Sequence, residues 1–194
     1  MEKVSQIVDA LYAGFEFCKQ AKEHHEGGEM RSTKGQIWED FATQVLTHTI
    51  SRNKLNLSIE NKKKVVVPAG NGLSAEVEMD ICLLISKKET PVYHVEVKDY
   101  IDASMYKRFI ADSQILSKKF PQMKHISLSG WIASSPETQS AINSILGLTG
   151  HVFADTLLPL KRNSKDNLFL LSQDKGAIIA STEALITRLT KVIK

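Results

Sequence analysis

The sequence predicts an α/β fold in a single domain, residues 1–194. Apolar runs with strand-like character at 78–85, 92–97 and 125–133 are interspersed with stretches whose apolar residues recur at helical spacing. The chain has 194 residues, of which 42% are hydrophobic, and contains five prolines and ten glycines. That composition suits one ample core and gives no sign of disorder or of a second domain.

Two helices are predicted in the first fifty residues. The segment 1–28 carries an apolar stripe and ends in a polar, Gly-rich stretch, and residues 33–36, Thr-Lys-Gly-Gln, have the form of a capping box that opens a second helix. On a wheel of about 100° per residue, Glu39 falls at the margin of the second stripe and Asp40 on the polar side. The stripes are Val4, Ile7, Val8, Leu11, Tyr12, Phe15 and Cys18, then Ile37, Trp38, Phe41, Val45 and Thr49.

The middle of the chain predicts strands and helices in alternation. Val-rich residues form a strand before the turn-like Ala-Gly-Asn-Gly at 69–72, and Pro136 suits the first turn of a helix. The predicted order is a strand at 62–68, strands at 78–85 and 92–97, a helix at 103–120, a strand at 125–133, a helix from 135 to 147–150 and a strand at 151–154.

In the C-terminal extension, residues 160–194, the sequence pattern predicts a hairpin followed by a helix. The runs 168–171 and 177–180 flank Gln-Asp-Lys-Gly, a sequence typical of a turn. Ser181 has the character of an N-cap for the final helix, whose apolar stripe is Leu185, Leu189, Val192 and Ile193.

Charged side chains meet on two of the predicted strands. Because strand side chains alternate, His94, Glu96 and Lys98 share one face. If the chain reverses through an odd-numbered loop centred on Lys88, Asp80 lies opposite Glu96, with the Cβ atoms about 5 Å apart. Both carboxylates could then reach one cation through bonds of about 2.1 Å. The pattern therefore predicts a divalent-metal site.

Simpler interpretations exist for each part of this cluster. A second triplet of the same form, Glu60-Asn61-Lys62, has no acidic residue on a preceding strand, and we interpret it as surface. Glu96 and Lys98 could form an ordinary ion pair on a wet sheet face. Glu39 could be a surface residue near a helix N-terminus. A half-buried Glu39 beside two more carboxylates would instead be costly without a cation.

The order of these features resembles the PD-(D/E)XK nuclease superfamily, which includes restriction endonucleases, Holliday junction resolvases and repair nucleases. Glu39 on a helix, Asp80 on a strand and Glu96-Val97-Lys98 on the next strand match its motifs. A helix, a strand and another helix follow, so that the resemblance covers roughly residues 34–155. Met79 stands where the superfamily's name has a proline.

The resemblance implies a fold and an activity. The fold is a restriction-endonuclease-like core in residues 34–155, with a mixed central sheet flanked by helices, to which 1–28 and 160–194 are additions. The activity is Mg²⁺-dependent hydrolysis of DNA, with Mn²⁺ able to substitute, leaving 5′-phosphate and 3′-hydroxyl ends. The additions suit recognition or dimerisation, so we expect duplex DNA of the restriction type. The resemblance also implies a homodimer. A Holliday junction or repair-type nuclease, and a non-catalytic DNA-binding protein, are the alternatives.

The same resemblance implies a role for each charged residue. Asp80, Glu96 and the carbonyl of Val97 would hold the metal, which polarises the scissile phosphate. Lys98 would orient or deprotonate the attacking water and offset charge in the transition state. Glu39 would support a second metal or a metal-bound water. The implied catalytic set is therefore Glu39, Asp80, Glu96 and Lys98.

Basic residues are clustered, although the formal net charge is only +3. Clustered Lys and Arg beside an acidic pocket suit binding to a phosphate backbone, and plain solvated surface is the alternative. Gln114 matches a Gln that some repair-type members carry, while Lys118 stands where those members have a Tyr. The DNA-binding candidates are Lys62, Lys63, Lys64, Lys107, Arg108 and Gln114.

Other classes of protein find little support in the sequence. No apolar run is long enough to span a membrane and residues 1–3 do not lead into a signal peptide, so we expect a cytoplasmic protein without membrane contact. Cys18 and Cys82 are isolated, which predicts reduced core thiols. No phosphate-cradling Gly loop ending in Lys-Ser/Thr and no nucleophile elbow occurs.

Overall fold

The computed structural model describes residues 2–22, 29–88, 90–100, 103–131, 152–158, 170–171 and 173–193. Within these ranges the chain forms helices and one mixed sheet, which confirms the α/β class. The elements are α1 (Glu2–Lys22), α2 (Glu29–Arg52), β1 (Leu57–Gly70), β2 (Leu73–Ile85), β3 (Thr90–Tyr100), α3 (Ala103–Lys119), β4 (Lys124–Trp131), β5 (Val152–Thr156) and α4 (Lys175–Val192).

The sheet follows the order of the chain, β1-β2-β3-β4-β5. Strands β1, β2 and β3 are antiparallel neighbours, whereas β3, β4 and β5 pair in parallel. Asn71 and Gly72, with φ of 51° and 74°, close the long β1/β2 hairpin, since positive φ at both turn positions matches the twist of the strands. Helix α3 makes the crossover that the parallel pair β3 and β4 requires.

The described residues form two cores, which lie on opposite faces of the sheet. The larger core joins the sheet to α1, α2 and α4, and the smaller one joins the hairpin to α3. Ile81 of β2 belongs to the larger core, but Met79, only two residues away, belongs to the smaller one. Strict alternation would keep both on one face. The hairpin therefore changes face near Asp80, at the level of Lys62, whose φ is 54°.

Helix α2 is fixed to the sheet by a buried tryptophan. Trp38 is 1% exposed, and its Nε1 donates a 2.7 Å hydrogen bond to Oδ1 of Asp99. A Cβ at Gly130 would lie 2.5 Å from the Trp38 ring, so only glycine permits this close approach. As predicted, Glu39 is half-buried at the margin of the stripe and Asp40 is exposed. The anchor consequently sets Glu39 at the edge of the core.

Two predicted helix starts are wrong. Helix α2 begins at Glu29, so the proposed capping box at Thr33 lies inside the helix. The C-terminal hairpin is absent from the described residues, because 177–180 belong to α4 and Leu170 lies in a 3₁₀ turn. Asp174 caps α4, accepting hydrogen bonds from the backbone of Gly176 and Ala177 at 2.6 and 3.3 Å. Ser181, the predicted cap, lies within α4.

The remaining predicted elements agree with the structure, apart from shifted ends. The strand predicted at 62–68 is part of the longer β1, and the helix predicted from 135 and the polar stretch at 24–28 lie outside the described residues. Cys18 and Cys82 are buried and unpaired, as predicted, and burial raises the pKa of Cys82 to about 12. In the described ranges, no helix combines the length and apolar character that crossing a membrane requires.

Candidate active site

Asp80 and Glu96 meet where β2 and β3 part. The ladder between these strands, within the described residues, ends at the pair Ile81 and Val95, so Asp80 and Glu96 are the next positions. This is the register predicted from a loop centred on Lys88. The connection itself differs, since Ile85 pairs with Thr90 and a shift at Leu83 corrects the register. Beyond the ladder, the only strand of the described residues that pairs with β3 is β4.

Lys98 joins the two carboxylates. Its Nζ lies 3.0 Å from Oδ2 of Asp80 and 2.7 Å from Oε1 of Glu96. The same Oδ2 accepts a 2.8 Å hydrogen bond from the backbone N–H of Val97. In the described part of the chain both contacts of Asp80 fall on Oδ2, which leaves Oδ1 for a further ligand. The Asp80 carboxylate thus takes the place of strand pairing at the end of the ladder.

Burial and charge act against each other in this group. Burial raises the pKa of Glu96, but His94 and the Lys98 ammonium lower it by more, and the pKa lies below its ordinary value. Burial lowers the pKa of Lys98, but Glu96 and Asp80 outweigh that effect, and its pKa is raised. Both groups are therefore charged at neutral pH. A protonated Lys98 is suited to donating hydrogen bonds and stabilising negative charge.

Glu39 approaches the pair from α2. Its carboxylate forms an ion pair with Nζ of Lys62 on β1, and 14% of the Glu39 side chain is exposed. Burial raises the pKa of Glu39; the Lys62 hydrogen bond opposes this effect and the charge of Asp80 adds to it. Lys62 stands between Asn61 and Lys63, which pair with Ile81 and Met79, and it is consequently level with Asp80.

The structure thus brings together all four predicted catalytic residues, Glu39, Asp80, Glu96 and Lys98. Val97, the third predicted metal ligand, lies between the last two, with its side chain in the larger core and its N–H on Asp80. The interpretation of Lys62 as mere surface was incomplete. It is exposed, but its ammonium is directed at Glu39.

A buried polar chain behind Glu96 was missed from the sequence. His94 Nε2 lies 3.6 Å from Oε2 of Glu96, too far for a hydrogen bond, and has no hydrogen-bond partner among the described residues. Its Nδ1 lies 3.3 Å from Nδ1 of His125, whose Nε2 is 2.9 Å from the Ser117 hydroxyl. Only the shared face of His94 and Glu96 could be predicted, because the parallel register that brings His125 beside His94 depends on the crossover.

Asp112 of α3 was also missed. Burial raises its pKa, and so does the negative charge of Glu96, which means that the two carboxylates interact. Asp112 faces Arg108 at 3.9 Å, and the side chain of Arg108 is 86% exposed. The helical spacing of Arg108 and Asp112 was available in the sequence, but nothing there indicated which face of α3 meets β3.

The predicted DNA-binding residues fall into two groups. On the hairpin, Lys63 pairs with Glu60 at 2.6 Å and Lys64 with Glu76 at 3.2 Å, while Lys62 pairs with Glu39. The others, Lys107, Arg108 and Gln114, are exposed on α3, the helix that carries Asp112. Arg108 and Lys62 contact residues of the acidic cluster, and the remaining ones flank it along the same elements.

The chemistry of the donors suits a hard cation. In the arrangement described here, no three His, Cys, Asp or Glu side chains of the described ranges are grouped as a metal site. Mg²⁺, however, keeps several waters and is commonly bound through one or two carboxylates. Asp80 and Glu96, with the Val97 carbonyl, supply oxygen donors only, and Lys98 marks the position between them where positive charge is stabilised.

Comparisons with known proteins do not assign the chain to a family. No protein-family model matches the sequence, and a search of curated proteins returns no significant match. The interpretation of the site therefore depends on its residues and their geometry.

Proposed function

We propose that this protein is a Mg²⁺-dependent DNA endonuclease with a restriction-endonuclease-like core in residues 34–155. We further propose that it cuts duplex DNA as a homodimer and that Mn²⁺ can replace Mg²⁺. The observation that supports this most is the double contact of Lys98 with carboxylates from two strands, 3.0 Å from Asp80 and 2.7 Å from Glu96, where the strands part.

An ordinary ion pair accounts poorly for this cluster. Asp80 is 8% exposed, and withdrawing charges from water costs several kcal/mol each. A surface ion pair needs one acid and one base, whereas here the three carboxylates of Glu39, Asp80 and Glu96 face only two ammonium groups, those of Lys62 and Lys98. Excess buried negative charge of this kind is typical of a site that receives a cation.

The chain's own residues have distinct tasks in this proposal. Asp80 and Glu96, with the Val97 carbonyl, would hold Mg²⁺, which when bound supplies Lewis-acid polarisation of the phosphate and makes water more acidic. Lys98, an ammonium whose pKa is raised, stabilises negative charge that develops on the phosphate. It also orients water by donating hydrogen bonds. Proton removal by Lys98 is not needed for this role.

Positive charge around the cluster suits a polyanion. Lys62 and Arg108 approach the acidic residues from β1 and α3, and Lys107 is exposed beside Arg108. Such side chains contact phosphates without reading bases, so they position the backbone over the acids. The hairpin and α3, which share the smaller core, would form the two sides of the path.

The test is cleavage by purified protein in Mg²⁺ of three substrates: supercoiled plasmid, a synthetic four-way junction and single strands. We expect nicked or linear plasmid with 5′-phosphate ends, and no product from an Asp80→Asn variant prepared identically. Cutting of the junction alone would indicate a resolvase. Binding without cutting in both Mg²⁺ and Mn²⁺ would show a non-catalytic DNA-binding protein and overturn the proposal.

A further inference from the structure

Lys62 occupies an unusual position in the cluster. It lies within strand β1 at a φ of 54°, a left-handed conformation that is uncommon for residues other than glycine. Its neighbours keep the strand pairing, Asn61 with Ile81 and Lys63 with Met79. The irregular backbone coincides with the change of face in the hairpin. It directs the Lys62 ammonium to Glu39 of α2.

The two lysines of the cluster contact different acids. Lys98 contacts Asp80 and Glu96, whereas Lys62 contacts Glu39. The charge of Asp80 nevertheless raises the pKa of Glu39, so Glu39 lies close to the two carboxylates that Lys98 contacts. A cation bound to Glu39 would have to compete with the Lys62 ammonium, which already pairs with the Glu39 carboxylate.

Formal charge favours a single metal ion. Three carboxylates and two ammonium groups leave the cluster at −1. One divalent ion brings it to +1, which a phosphodiester, carrying −1, neutralises. A second divalent ion would leave +2 after the phosphodiester has bound. Asp112 does not alter this balance, because it faces Arg108.

We propose that Lys62 is a positioning residue that replaces a second metal ion, so that the site binds one divalent cation between Asp80 and Glu96. This inference rests on the proposed function. The Lys62 ammonium holds the Glu39 carboxylate beside the site through their ion pair, and it excludes a second ion by repulsion. The predicted role of Glu39 as support for a second metal then applies only when Lys62 is removed.

The experiment counts bound ions without DNA, by titrating Mn²⁺ and following the free-ion signal in electron paramagnetic resonance. We expect one Mn²⁺ in the wild type, two in Lys62→Met and one in Lys64→Met. Lys64 is the matched control, because it is also an exposed hairpin lysine paired with glutamates, at 3.2 and 3.5 Å. Glu39→Gln should keep one ion, since Asp80 and Glu96 hold it.

Each outcome is decisive. Either two ions or none in the wild type would overturn the inference. Two ions would leave the nuclease proposal intact, whereas no ion together with no cleavage would overturn the nuclease proposal as well. One ion in both the wild type and Lys62→Met would contradict the role of Lys62, as would loss of the ion in Glu39→Gln. Circular dichroism checks the fold, and Lys62→Asn, which tolerates positive φ, replaces the Met variant if that one unfolds.

Discussion

Two triplets of the same form, Glu60-Asn61-Lys62 on β1 and Glu96-Val97-Lys98 on β3, lie on either side of Asp80 and behave differently. In the β3 triplet the strand alternates regularly, and Glu96 and Lys98 contact each other at 2.7 Å. In the β1 triplet the left-handed Lys62 separates the two charges, so Glu60 pairs with Lys63 instead. Identical spacing thus gives a shared site in one strand and divided contacts in the other.

The comparison shows that strand regularity, and not the triplet, brings the charges together. Asp80 provides the common reference, since it is level with both triplets. Glu96 faces it where the ladder ends and is 14% exposed in its side chain, but Glu60 is 45% exposed. Matched substitutions in the two triplets should therefore have very different consequences.

The largest expected effect is loss of cleavage on removing one of the two carboxylates that Lys98 contacts. Asp80→Asn and Glu96→Gln should each lower the single-turnover rate on plasmid by about 10³-fold or more, because a lost metal ligand forfeits several kcal/mol of transition-state stabilisation. Glu60→Gln is the matched control and should cut at the wild-type rate. Wild-type cleavage by Glu96→Gln at saturating Mg²⁺ would refute the site.

The second effect concerns the lysine of the same triplet. Lys98→Met should lower the cleavage rate by about 10²–10³-fold, the range found when one donor to a developing oxyanion is removed. Mn²⁺ binding should persist, since Asp80 and Glu96 remain. Rate and ion count are measured on the same preparation. Lost ion binding with unchanged chemistry at saturating metal would show that Lys98 only supports the carboxylates.

Much of the cluster around Lys98 could be predicted from the sequence. Alternation placed Glu96 and Lys98 on one face, and the helical wheel placed Glu39 at the margin of its stripe; the structure agrees on both points. These predictions depend only on local periods of about 2 and 3.6 residues. Asp80 required the register of a hairpin, which the predicted loop matched only because a shift near Leu83 compensates for a shorter connection.

Local sequence patterns could not predict the ion pair made by Lys62 of β1 or the helical conformation of residues 177–180. A left-handed lysine inside a strand has no sequence signature, so the ion pair of Lys62 with Glu39 could not be foreseen. The run 177–180, Ala-Ile-Ile-Ala, has strand character, but Asp174 caps a helix there and Ile178 is fully buried in the larger core. Tertiary packing of α4 outweighs the local propensity.

The two acid and lysine pairs should differ in the pH dependence of stability. The Glu96 pKa is lowered in the folded protein, so its contribution is present above the unfolded pKa and lost as pH falls through the folded one. The Glu39 pKa is raised, mainly by burial, so its contribution is present below the unfolded pKa and lost as pH rises through the folded one. The signs are opposite.

Urea unfolding of metal-free protein measures this difference. At neutral pH, Glu96→Gln should lower the free energy of unfolding by about 1.5–3 kcal/mol, the usual value of a hydrogen bond to a charged group. Glu39→Gln should be neutral or stabilising. Both differences from the wild type should shrink as the pH is lowered through the folded pKa of each carboxylate. Equal destabilisation by both variants at neutral pH would contradict the electrostatic assignment.

The smallest expected effect is on the salt dependence of DNA binding. It should differ between the hairpin lysines, which are in ion pairs, and the exposed basic residues of α3. Lys63 and Lys64 are paired with Glu60 and Glu76, and a phosphate must displace a glutamate to reach them. Arg108 is 86% exposed, and its contact with Asp112 is long, at 3.9 Å. Lys107 is exposed on the same helix. The lysines of the hairpin should consequently release fewer counterions on binding DNA.

Binding of an Asp80→Asn background to duplex DNA, followed by fluorescence anisotropy at several salt concentrations, tests this expectation. Replacing Lys107 or Arg108 with Met should reduce the slope of log K against log salt by about 0.9 each, since each lost phosphate contact releases about one counterion fewer. The same change at Lys63 or Lys64 should reduce it by less than half of that. Equal reductions would mean that DNA breaks the hairpin ion pairs, and unchanged slopes at Lys107 and Arg108 would place the DNA path away from α3.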